Sequence, residues 1–280
     1  MREAREAKEE VDRVVSERAQ DVEKIVLNQI GRAMGAFSML AKGDRVAVGV
    51  SGGKDSLCLA HALCAYRKRA PFPYEVIAVT MDQGKFTAPI TPLGKVFRDL
   101  GIRWVLRRES RTLGLVDDGV EHGCDVCSRY RRAALYETAA ELGCSVLALG
   151  HTADDCAESL LRNVLFNGRI ASLPPVAKAK KGPIRIIRPL AYVTEEHTAR
   201  YVEAVGLDPI GCVCQEKEGP RREIRLFLEN LSKKHPDVKE SVMSSLANVS
   251  PYTLFDAGLQ KDGADLPVFS RFRSASDRGV

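Results

Sequence analysis

Short uninterrupted apolar runs alternate along the middle of the chain with longer stretches whose apolar positions recur every three or four residues. Arg45–Val50, Glu75–Val79, Arg103–Leu106, Ser145–Leu149 and Ile184–Arg188 have the length and composition of strands buried on both faces. Leu57–Ala65, Leu93–Leu100, Arg131–Leu142, Asp154–Leu165 and Thr194–Val205 have helical periodicity, and Thr194 is a capping residue for the last of them. Strands alternating with helices predict an α/β fold built on a doubly wound parallel sheet.

Ahead of this core, residues 2–40 carry Val11, Val14, Val15, Val22, Ile25, Val26 and Ile30 in stripes among charges, which predicts a helical N-terminal arm. Behind it, Glu223–Leu246 is amphipathic and broken at His235-Pro236, so C-terminal helices are expected. Ala177–Gly182 reads as a basic loop, and the Gly, Asp, Ser and Arg content beyond about Asp256 predicts a loose tail. The expected organisation is an arm at 1–40, a main domain at 41–215, a helical segment at 216–258 and a tail at 259–280, without internal repeats.

A chain of 280 residues, 45% of them hydrophobic, can bury a substantial core. No apolar run approaches the roughly 20 residues that span a bilayer. Met1–Glu6 lacks the apolar segment of a signal peptide, so the expected setting is the cytoplasm, with no membrane partner. With 42 basic and 37 acidic residues the net charge is +5, an excess that permits a nucleic-acid partner without demanding one. Arg129, Arg131 and Arg132, then Lys178, Lys180 and Lys181, then Arg221, Arg222 and Arg225 form local groups. Taken singly, each is more often a solvated face than a binding surface.

Candidate chemistry gathers where the predicted strands end. Ser51-Gly52-Gly53-Lys54-Asp55-Ser56 stands between the first strand and the first helix of the core. Paired glycines let the backbone approach an anion, a helix N-terminus offers free N–H groups, and Lys54 adds a charge. A turn merely capped by Asp55 or Ser56 accounts for a serine but not for two glycines and a lysine. Asp82 and Gly150-His151 also follow strands, where ligands bind in open parallel sheets. Their bland readings are a turn residue and a helix start capped by Thr152 or Asp154.

Eight cysteines in a cytoplasmic chain argue against a disulfide framework. Cys58, Cys64, Cys144 and Cys156 lie in apolar segments and read as small core residues. The others are paired, as Cys124-Asp125-Val126-Cys127 and Gly211-Cys212-Val213-Cys214. Four thiols suit structural zinc; three suit an iron–sulfur cluster with one iron open; a Cys-x-x-Cys pair at a helix start suits disulfide exchange or persulfide transfer; simple burial is the fourth reading. Spacing leaves all four open. The run Ser128-Arg129-Tyr130-Arg131-Arg132 that follows suits a phosphate-bearing partner.

Ser-Gly-Gly-x-Asp-Ser is neither the Walker loop nor the dinucleotide fingerprint. It resembles the PP-loop of ATP pyrophosphatases, enzymes that release pyrophosphate and leave AMP on their substrate. The resemblance sharpens with Cys124–Arg132, Gly150-His151-Thr152-Ala153-Asp154-Asp155, Asn167-Gly168, Leu173-Pro174-Pro175, Ile187–Tyr192 and Cys212. In that order they are similar to the tRNA 2-thiocytidine synthetase family, over about Ile30 to Asp256.

That resemblance implies an adenine nucleotide alpha hydrolase-like fold and sulfur insertion at C2 of an anticodon-loop cytidine, at position 32. It implies ATP, Mg²⁺ and a [4Fe-4S] cluster, with tRNA and a sulfur donor, a cysteine desulfurase or sulfide, as partners. A homodimer is the expected assembly, with the N-terminal arm contacting either a second copy or tRNA. Ser51, Gly52, Gly53, Lys54 and Ser56 would hold the β- and γ-phosphates, and Asp55 and Asp155 would hold Mg²⁺. Asp82 would lie near the ribose or the metal, and Gly150 near the nucleotide. His151 and Asp154 would face the reacting centre, and Arg131 or Arg132 the α-phosphate. Cys124, Cys127 and Cys212 would be the cluster ligands. Because Gly-Cys-Val-Cys-Gln is one residue shorter between its thiols than the family's Pro-Cys-x-x-Cys-Gly, Cys214 stays in contention for the third place. The rival functions are thiolation of a tRNA uridine, lysidine synthesis, which needs no cysteines, and a zinc-stabilised nucleotide-binding protein without turnover.

Overall fold

The computed structural model describes residues 20–111, 124–179, 182–211 and 219–256. The expectations at 1–19, at Cys212 and Cys214, and at the tail 259–280 lie outside these residues. So does the side chain of Cys124, whose backbone is described.

Six strands form one sheet: β1 (Arg45–Gly49), β2 (Glu75–Asp82), β3 (Arg103–Arg108), β4 (Val146–Ala148), β5 (Val176–Lys178) and β6 (Arg185–Ile187), in the order β3-β2-β1-β4-β6-β5. All neighbours pair in parallel except β5, which runs antiparallel to β6. β5 therefore runs into the stretch read as a basic loop, sharing Ala177 and Lys178 with it. Its three residues are half-buried or exposed, so they lack the apolar run by which a central strand is recognised.

The inner strands alternate their side chains between two apolar layers. Val46, Val48, Val76, Ala78, Val146 and Ala148 join one core with α2 (Lys54–Tyr66). Ala47, Ile77, Val79 and Leu147 join the other, against Ala134, Leu135 and Ala139 of α4 (Cys124–Glu141). Residues 20–36 form helix α1, and Val22, Val26, Leu27 and Ile30 are fully packed into the first core. From Val22 onward the predicted arm is part of the domain's main core.

α3 (Leu93–Asp99) connects β2 to β3, and α5 (Ala153–Asn167) follows β4. α6 (Glu195–Ala204) packs on α2, while α7 (Pro220–Ser232) packs on α5 through Ile224 and Leu228 around Ala157, and α8 (Val238–Ser245) adds Val242 and Met243 to the same cluster. α4 starts seven residues earlier than the apolar pattern indicated, at Cys124 rather than Arg131. Its first turns are polar and cationic, so hydrophobic periodicity does not reveal them, and the Cys-x-x-Cys pair sits on the first turn of a helix.

Candidate active site at the sheet switch point

From β1 the chain runs on to β2 and from β4 to β5 and β6, in opposite directions across the sheet, and the crevice beyond the carboxyl ends of β1 and β4 is where the glycine turn lies. A cavity of about 170 Å³ is lined there by Ser51, Gly53, Asp55 and Ser56 from the turn, Gly150 and His151 after β4, and Arg131 and Leu135 of α4. Gly52 has φ +84°, and a side chain on it would meet the carbonyl oxygen of Ile210 at 3.0 Å. The Ile210 amide in turn donates to the Gly52 carbonyl at 2.9 Å. Ser56 Oγ closes the turn: it accepts from the Ser51 amide at 3.1 Å and donates to the Gly53 carbonyl at 2.8 Å. The result is a backbone loop at a helix N-terminus with no side chain on two successive residues, the form of an anion cradle.

Lys54 Nζ lies 3.0 Å from both Asp55 carboxylate oxygens and 3.3 Å from Glu195 Oε2. Burial works against its charge, but Asp55 and Glu195 outweigh burial and hold Lys54 above its ordinary value. Burial is also the largest influence on Glu195, whose carboxyl sits above the usual carboxylate range despite Lys54 and Arg225. Thr198 donates its hydroxyl to Asp55, so α6 fixes both charged residues of the turn from across the crevice. Glu195 and Thr198 were not singled out in the sequence; they lie 141 and 143 residues from their partners. No local pattern carries that pairing.

Gly150 is needed for closeness rather than for a special backbone angle. A side chain on it would meet the Asp55 carbonyl at 3.1 Å and the Ser56 Cα at 3.2 Å. Next to it, His151 Nδ1 is buried without a hydrogen-bond partner among the described residues, as is the Nε of nearby Arg188. Burial depresses His151 to about 4, Asp155 opposing and Arg188 and Arg132 reinforcing, so the ring is neutral at pH 7. Between pH 6.5 and 4 the unfolded ring takes up a proton that the folded one refuses. Its contribution is therefore complete above 6.5 and lost as pH falls toward 4, by roughly 3 kcal/mol. His151→Gln is expected to remove that part of the acid sensitivity, as checked by denaturant unfolding across pH 4–7; identical pH profiles in the two proteins would rule it out.

Asp154 and Asp155, expected at the reacting centre and at Mg²⁺, are engaged elsewhere in the described structure and do not line the cavity. Asp155 forms a capping box with Thr152 at the start of α5, and its Oδ1 accepts from Arg221 at 2.7 Å. Asp154 accepts from the Glu195 amide at 2.7 Å and from Lys239 at 2.6 Å, which ties the starts of α5, α6 and α8 together. Arg221 and Arg225 also pair with the buried Glu158, so these members of the third basic group face carboxylates. Asp82 accepts from the Gly84 amide at 2.9 Å and, like Lys54 and Arg132, lies outside the cavity lining. Of the candidate metal-binding carboxylates, Asp55 is the one in the cavity wall.

The thiol side of the site adjoins the same crevice. Cys127 is 8% exposed, four residues before the cavity-lining Arg131 on one helix. Gln83 donates to the Cys127 carbonyl at 3.1 Å, and Lys85 Nζ lies 3.0 Å from its Sγ. Thr87, on the same loop, donates its amide to the Gly211 carbonyl at 3.0 Å. Gly211 immediately precedes Cys212, so one short loop bridges Cys127 and the backbone leading into the second cysteine pair. The core reading of Cys58, Cys64, Cys144 and Cys156 agrees with their burial.

Residues 22–210 match the family model of the PP-loop domain. The chain is 37% identical over 249 residues to the tRNA-cytidine(32) 2-sulfurtransferase of Anaeromyxobacter sp. (strain K), covering 87% of this chain and 85% of that protein. It is 38% identical over 240 residues to the enzyme of the same name from Syntrophotalea carbinolica, covering 83% and 92%. Among solved structures, it is similar to the U34-tRNA thiolase NcsA from Methanococcus maripaludis with its [4Fe-4S] cluster, with TM-score 0.67, 26% identity, and 82% of this chain and 79% of that one covered.

Proposed function

The chain belongs to the PP-loop family, and from that premise we propose that it is an ATP-dependent, iron–sulfur-dependent tRNA thiolase acting on C2 of cytidine 32. One observation carries the reading: the helix that bears Cys124 and Cys127 on its first turn also lines, through Arg131, the cavity formed by the glycine cradle. Nucleotide activation and sulfur delivery thus share one wall.

The chemistry follows from a poor leaving group. The C2 oxygen of cytidine attacks the α-phosphorus of ATP, the bond to the bridging oxygen breaks, and pyrophosphate departs. Sulfide, free or supplied by a cysteine desulfurase, then forms a bond to C2, and the oxygen leaves as part of AMP.

The residues present fit ATP. The cradle amides and Lys54 hold the departing pyrophosphate, and positive charge pre-aimed at developing negative charge is the strongest device such a site has. Asp55 is the carboxylate that would hold Mg²⁺, which prefers hard oxygen ligands and would neutralise phosphate charge. Gly150 leaves room for the nucleotide, and the orphaned Nδ1 of neutral His151 offers it a hydrogen bond. Arg131 faces the α-phosphate.

The thiols fit a cluster. Cys124 and Cys127 share a helix turn, and Lys85 sets an ammonium against Cys127 Sγ, a charge suited to a thiolate ligand. A [4Fe-4S] cluster held by three cysteines would supply a site for activating sulfur. The ligand set is Cys124, Cys127 and Cys212.

Anaerobic purification with iron, sulfide and zinc analysis tests this on wild type and on C127A, C212A and C214A. Four irons with labile sulfide are expected, lost in C127A and C212A and kept in C214A. Stoichiometric zinc dependent on all four thiols would overturn the reading.

A further inference from the structure

The β2–α3 loop holds the backbone at Cys127 and at Gly211, the residue before the second cysteine pair. Gln83, 6% exposed, holds the backbone of Cys127, and Thr87 holds that of Gly211. The contact at Gly211 is tight, since a side chain there would meet Thr87 Oγ1 at 3.0 Å. Between them the half-buried Lys85 reaches the sulfur itself, with Nζ 3.0 Å from Cys127 Sγ.

A lysine ammonium has donors and no acceptor, so its contact with sulfur is a donated, charge-assisted hydrogen bond when the sulfur is a thiolate. Groups that donate to ligating atoms orient them and tune the metal they hold. Reduction of an iron–sulfur cluster adds one negative charge. A fixed positive charge against one of its sulfur ligands therefore favours the reduced state and offsets the mutual repulsion of the thiolates.

We infer that Lys85 is a positioning residue for the iron–sulfur site, aiming Cys127 and raising the reduction potential of the cluster that it ligates. The inference rests on the cluster reading proposed above. Lys85 is not among the residues that line the nucleotide cavity.

The test uses anaerobically purified full-length holoenzyme, as wild type, K85M and K85R, with iron and sulfide analysis and an electron paramagnetic resonance titration of the midpoint potential. K85M is expected to carry the wild-type iron content and to show a reduced-to-oxidised ratio about tenfold lower at fixed potential, 59 mV for one electron. K85R, which keeps the charge, is expected to return close to wild type. A K85M protein that is folded by circular dichroism but iron-free, alongside a loaded K85R, supports the same role, because loss of the charge then loosens the ligand set. Equal potentials in three fully loaded proteins overturn the inference while leaving the cluster reading intact. So does a K85R that behaves as K85M. A wild-type protein without iron removes the cluster reading itself, and this inference with it.

Discussion

Lys54→Met is expected to lower kcat/KM for ATP by about a hundred- to a thousandfold, the range seen when one pre-aimed donor is removed from developing charge. Two effects add. The cradle loses the cation that accompanies pyrophosphate as it leaves, and Asp55 and Glu195, now without their shared partner, present negative charge to the phosphates. The second effect is separable: E195Q placed in the K54M background is expected to recover part of the loss. Stability moves little, because the pair with Asp55 is about a quarter to a third exposed and such pairs are worth at most about 1 kcal/mol. Pyrophosphate release measured with tRNA present is the assay. A K54M enzyme within threefold of wild type would make the lysine a local tie between α2 and α6 and nothing more.

The elements that the sequence made legible are those whose signal is local. β1, β2 and β4 are unbroken apolar runs because both faces are covered, and the glycine turn is legible because two side-chain-free residues beside a lysine have no use in a plain helix start. β5 stayed hidden because an exposed three-residue edge strand needs only its partner's hydrogen bonds. The start of α4 stayed hidden because its first two turns display charge rather than an apolar stripe.

The site divides in the same way. Residues contributed by the turn after β1 and the turn after β4 could be named from motif and position. What those residues touch could not be, since Lys54 meets Glu195, Asp55 meets Thr198, and Cys127 meets Lys85 across long stretches of chain. Asp154 and Asp155 illustrate the limit most clearly. A carboxylate just after a strand reads equally as chemistry or as a helix cap; the sequence left both readings open, and the structure shows the capping box of Thr152 with Asp155.

Gly150→Val is expected to weaken ATP binding by a hundredfold or more, although no side chain is removed from the site. The new Cβ would stand 3.1 Å from the Asp55 carbonyl oxygen and 3.2 Å from its carbon and from the Ser56 Cα, all backbone atoms. None can swing aside as a flexible side chain would. β4 cannot retreat either, because Val146, Leu147 and Ala148 are paired in register with both β1 and β6. The strain is then relieved by moving the N-terminus of α2, the end that presents the cradle amides, and an overpacked core of this kind costs about 1–3 kcal/mol of stability. Gly53→Ala is the internal comparison: its Cβ would meet only Ser51 Oγ at 3.6 Å, and Gly53 has an ordinary φ of −69°. That variant is expected to unfold at the wild-type denaturant concentration, whereas G150A loses a smaller part of what G150V loses in both assays. Titration calorimetry with a non-hydrolysable ATP analogue, together with denaturant unfolding, separates the contributions. Wild-type affinity in G150V would mean that the phosphates do not sit on the α2 N-terminus, and the assignment of the cradle would fall with it.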